Sequence, residues 1–113
     1  MLFRSTLALR GATILTVPAA FTERTGRDHW EVLLRARAIE NGAWVLAPAQ
    51  IGGPPAHRAY GRSMVVDPWG TVVAQASDTV GIVRAEIDPG RPATVRRQIP
   101  SLANRRPGTY DLG

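Results

Sequence analysis

Apolar positions change their period several times along this 113-residue chain, and each change marks an element. From Asp28 to Ile39 the period is helical. Trp30, Leu33, Leu34 and Ala38 form one stripe, which Val32, Ala36 and Ile39 widen, predicting a helix covered on most sides. Thr25 and Asp28, three apart, read as a capping box at its start. Glu31 precedes Arg35 by one turn, the favourable order for a surface pair. Asn41-Gly42 stops the helix, because both residues tolerate a left-handed cap. Ala43 to Ile51 is then almost continuously apolar and short, which predicts a buried strand, with Pro48 marking a strand end or an edge.

On either side the pattern is less regular. Residues 2–10 predict a short helix ended by Gly11. Thr13 to Val17 is β-branched and apolar, a strand stopped by Pro18. Phe21 to Arg27 reads as a polar loop, and residues 52–62, with paired Gly and Pro, as a second and longer one. Met64–Val66 and Thr71–Ala74 flank Asp67-Pro68-Trp69-Gly70, whose order suits a type I turn. Beyond the polar turn at Ser77-Asp78, Val80 to Ile87 predicts a third strand, making an antiparallel meander. Thr94 to Ala103 predicts a weak helix interrupted by Pro100, and Arg105 to Gly113 a tail that packs elsewhere. Helix, strand, helix, strand is the alternation of a layered α/β protein.

Length allows one small domain with little surplus stability. Fourteen basic against nine acidic residues leave a net charge of +5. The arginines are scattered, with Arg96-Arg97 and Arg105-Arg106 the only doublets, so nucleic acid is not an expected partner. There is no cysteine, which excludes disulfides, thiolate metal sites and a cysteine nucleophile within this chain. Two histidines do not make a zinc site, and no metal or cofactor is expected. No run approaches a membrane span, and the N-terminal residues read as mature sequence; a cytoplasmic protein is the default expectation.

Candidate chemistry is sparse. His29 could act as an acid–base group or simply cap the helix. Glu31 could pair with Arg35 or point into a pocket. Glu40 favours pairing with Arg37 or Arg35. His57 sits in a loop, Ser63 lacks a strand-to-helix elbow, and Asp67 belongs to its turn. Gly52-Gly53, followed by two prolines, is not a phosphate loop. Residue chemistry alone gives an α/β domain without a complete active site.

Three stretches carry a resemblance: GATILTVPAAFTERTGRDHWEVLLRARAIENGAWVLAPAQIG, YGRSMVVDPWGTVVAQA, and the terminal IP followed by NRRPGTYDL. Together they closely resemble the carbon–nitrogen hydrolase (nitrilase) family, nearest its deaminated-glutathione amidase and omega-amidase-like members. The resemblance implies an α/β fold, the C-terminal half of a four-layer αββα sandwich, here with a C-terminal β-meander. It also implies hydrolysis of nonpeptide C–N bonds by a Glu, Lys and Cys triad. There the thiolate attacks the amide carbonyl, Glu moves protons and Lys helps hold the oxyanion. By that alignment Met1 falls just beyond the family's Cys, so residues 1–113 carry no catalytic residue. Pro18, Ala19, Ala20 and Phe21 match the strand end bordering the substrate pocket, and His29 and Glu31 the start of the helix beside it. Arg35 to Asn41 resembles a helix near a dimer interface. A small amide is the implied substrate of full-length relatives. The implied partner here is a second copy or the missing N-terminal half, and the alternative role is a non-catalytic assembly subunit.

Overall fold

The computed structural model describes residues 2–106. Its central unit is a helix, α2 (Glu23–Asn41), leading directly into a strand, β2 (Trp44–Ala47). Gly42 joins them in the left-handed region at φ 53°, and its N–H is shared between the carbonyls of Ala38 and Ile39. A four-stranded mixed sheet forms around β2. β1 (Ile14–Thr16) lies parallel on one side and β5 (Met64–Val66) antiparallel on the other, with β6 (Val72–Gln75) outermost. A two-residue pair, β3 (Ile51–Gly52) with β4 (Ala59–Tyr60), stands apart. Helices α1 (Leu2–Leu9) and α3 (Arg91–Gln98) complete the architecture.

Register fixes which side chains share a face. Leu15 pairs with Val45, Val45 with Val66, and Ala47 with Met64, so these five look the same way. They meet Trp30, Leu34 and Ala38, one α2 residue per turn, in the hydrophobic core. Leu34 is only 2% exposed, and burying such a side chain is worth about 2 kcal/mol. The Trp30 indole donates to the Arg62 carbonyl at 2.8 Å, so its polar edge is satisfied as its ring is buried.

Arg96 ties three elements together. Its guanidinium donates to Asn41 O at the end of α2 and to Ala12 O before β1, at 3.2 and 2.7 Å. Burial holds this guanidinium below its ordinary pKa. A cation here suits the negative end of a helix and satisfies carbonyls that the helix leaves free.

Several expectations change. α2 begins at Glu23, not Asp28, so Phe21 to Arg27 is mostly helix. Gly26 is no loop glycine: a Cβ there would lie 2.5 Å from Tyr60 Cβ, so α2 needs hydrogen at that position to pack on β4. Thr25 makes no capping box; its hydroxyl meets the Thr22 hydroxyl at 2.8 Å. Arg35 Nε donates to Gly70 O, leaving Glu31 without a partner among the described residues. The Ala43–Ile51 strand breaks at Pro48, which has no N–H for a ladder.

Helix α3 starts at Arg91 and stops before Ile99, earlier than expected, because Pro92 favours a first helical turn. The β5–β6 hairpin is present, with a register irregularity at Val65/Val66. The third meander strand is not: residues 80–87 belong to no strand. The segment passes near β6, whose outer edge is free, without pairing to it. The tail lies largely outside them.

Candidate functional site

Proline ends both parallel strands. β1 runs into Val17 and Pro18, β2 into Pro48, and their backbones stay in register for three more residues. Ala19 N–H donates to Pro48 O, and Gln50 N–H returns to Ala19 O, each at 3.1 Å. Open α/β sheets bind ligands outside the carboxyl ends of their parallel strands, which makes these two ends a candidate location. Phe21 closes the stretch: its ring lies 5.2 Å from Trp30, centroid to centroid, and its carbonyl accepts from Tyr60 N–H at 2.8 Å. Pro18 and Ala20 are exposed, while Ala19 and Phe21 are half-buried.

Ser63 stands against the same region. Its hydroxyl accepts from Ala49 N–H at 2.8 Å and donates to Ala49 O at 3.3 Å. Both capacities are spent on backbone, so it clamps the strand end. His29 and Glu31 are exposed on α2. Two residues apart on a helix, they sit on opposite flanks. The structure therefore does not bring them together, and among the described residues no hydrogen bond or ion pair links either to the Pro18–Phe21 stretch. Glu40 pairs with Arg37, as expected. His57 lies exposed in a single 3-10 turn, Pro55–His57.

The second face of the sheet is different. Ile14, Thr16, Trp44, Leu46 and Val65 point away from α2. Beside them residues 81–87 run without a ladder and bound an apolar trough of about 770 Å³, floored by Thr16, Leu46 and Val65. The segment is pinned at its ends. Asp78 pairs with Arg62 at 2.9 Å, and Asp88 O accepts from the Trp44 indole at 3.0 Å. Between the pins, Val80 and Ile82 are 92% and 83% exposed. Apolar side chains that open call for cover. The alternation of residues 80–87 was visible in the sequence; their lack of a partner was not, because pairing is a property of two segments.

Residues 2–97 match the carbon–nitrogen hydrolase family. The chain belongs to that family. It is 52% identical over 100 residues to the deaminated glutathione amidase of Synechocystis, covering 88% of this chain and 37% of that protein. It is 54% identical over 105 residues to the human deaminated glutathione amidase, covering 92% and 32%. The crystal structure of the C. elegans NitFhit protein superposes with a TM-score of 0.89 at 50% identity, over 96% of this chain and 27% of that one. The chain thus spans about a third of the length of the curated relatives it matches. The mixed-sheet αβ sandwich architecture agrees with the solved structures.

For a carbon–nitrogen hydrolase chain, two absences decide the chemistry. The sequence has no cysteine, and all 14 of its basic residues are arginine, so it has no lysine either. A Cys–Lys–Glu centre cannot be assembled from these 113 residues.

Proposed function

We propose that this chain is the C-terminal half of a carbon–nitrogen hydrolase acting on nonpeptide amide bonds of small carboxylic-acid amides, and that it is inactive by itself. The observation that carries this reading is a family match along residues 2–97 in a sequence without a thiol or an ammonium side chain. Attack on an amide carbonyl in this family's chemistry uses a thiolate nucleophile and a lysine beside the oxyanion, and the chain has neither residue type. The part this chain would play is positional. Pro18, Ala19, Ala20 and Phe21 form one wall of the substrate pocket, with His29 and Glu31 on the helix beside it. The complementing N-terminal half supplies Glu, Lys and Cys and covers the second sheet face, in a cytoplasmic setting. Purified chain should show no hydrolysis of small amides such as glutaramide. Turnover by the pure polypeptide, insensitive to thiol reagents, would overturn this reading.

A second role, as a non-catalytic assembly subunit, has its own support. Along the outer side of α2, Val32 is 66% exposed and Ile39 packs against Gly70, the residue after the half-exposed Trp69, with Arg35 between Val32 and Ile39 bonded to Gly70 O. This patch fits a second copy through the helix that resembles the family's dimer helix. Sedimentation should show a dimer that Val32→Glu dissociates; a monomer at all concentrations would exclude this role.

A further inference from the structure

A cleft of about 640 Å³ opens between the first turn of α2 and the β3–β4 pair. Its charged walls are Arg27, Arg58 and Arg62 against Glu23 and Asp78. Two of the arginines are matched: Arg27 meets Glu23 at 3.4 Å and Arg62 meets Asp78 at 2.9 Å. Arg58 has no carboxylate partner among the described residues. It also faces an adjoining cleft lined by Arg24 and Arg27 together with Glu23 and Asp28.

The base of Arg58 is fixed although its side chain is exposed. Its carbonyl accepts from Glu23 N–H at 2.9 Å. The next residue, Ala59, pairs with Gly52 and bridges to Thr22. A guanidinium on a fixed backbone, with a free planar fork, suits a carboxylate better than any neutral group. The cleft also adjoins the strand-end region. Tyr60 lines it, and Tyr60 N–H is the group bonded to Phe21 O.

We infer that Arg58 is a specificity residue whose guanidinium holds a carboxylate of the ligand in this cleft, with Arg27 and Arg62 as flanking cations. The assignment to an amide substrate rests on the function proposed above; the carboxylate subsite itself does not.

The test is a titration of the isotopically labelled 113-residue chain, followed by backbone amide NMR at about 0.15 M salt, where long-range attraction is screened. The probes are glutarate, neutral glutaramide and inorganic phosphate. Glutarate should give saturable shifts at Arg58, Ala59 and Tyr60, about tenfold weaker in Arg58→Ala and unchanged in the distant control Arg84→Ala. Arg58→Lys, keeping charge without the fork, should bind between the two. Absence of saturable glutarate shifts, or identical affinity in Arg58→Ala, would overturn the inference, as would phosphate binding without glutarate binding. Amide turnover by the pure chain would sink the proposed function and leave this titration standing, so the two failures are separable.

Discussion

The two faces of one four-stranded sheet make the instructive contrast. Toward α2, Leu15, Val45, Ala47, Met64 and Val66 meet Trp30, Leu34 and Ala38 in a closed core. Away from α2, the neighbouring residues of the same strands floor an open trough, bounded by a segment that belongs to no ladder. The strands, their twist and their hydrogen bonds are shared, so backbone structure is not what separates the faces. Cover is. α2 and β2 are joined by only two residues, Gly42 and Ala43, and supply their own packing partner. The far face depends on something at greater distance or outside the chain. The far face is covered only in part: Trp44 and Val65 are buried there, while the trough beside them stays open.

Substitutions on the two faces should differ in cost by severalfold. The largest effect is expected from Trp30→Ala, which empties the centre of the closed core and releases the Arg62 carbonyl. It should cost about 4 kcal/mol and abolish cooperative urea unfolding, since small domains hold little more than that. Arg96→Met keeps the aliphatic stem and removes the bonds to Asn41 and Ala12. A loss of about 2 kcal/mol is expected in the same measurement. At the small end, Ile82→Ser on the unladdered segment should change stability by less than about 0.5 kcal/mol while reducing the binding of an apolar dye. If Ile82→Ser cost as much as Arg96→Met, the far face would already be packed and the contrast would fail.

The closed side was the readable side. The Asn41-Gly42 stop is present, Trp30, Leu34 and Ala38 are buried as the stripe predicts, and the apolar run after the stop begins with β2. Val32, Leu33 and Ile39 are exposed, however, so α2 is covered on one side rather than on most, and the run is a strand only to Ala47. The Asp67–Gly70 turn was equally local: Asp67 Oδ1 accepts from Trp69 and Thr71 N–H, both at 2.9 Å. What the pattern missed was decided at long range. Gly26 looked like a breaker because its reason, the Tyr60 ring, lies 34 residues away. Arg96 looked like one of a basic doublet, yet it is the cross-link between α3, the end of α2 and the start of β1. Residues 80–87 have a strand's alternation but join no ladder.

The candidate site divides the same way. Pro18 to Phe21 was marked out by resemblance, and the structure sets it at the carboxyl ends of two parallel strands. Arg58 carried no signal in the sequence. A lone loop arginine becomes noticeable only once the chain has folded Glu23 and Tyr60 around it.

Hydrogen exchange resolved to single amides in the monomeric chain tests the contrast most directly. Amides of Gly81 to Ala85 should exchange at nearly free-peptide rates, while those of Val45 and Val65, inside the ladder, should be slowed at least about a thousandfold. Equal protection of the two sets in the monomer would show that both faces are finished, and would contradict the account of this chain as part of a larger hydrolase.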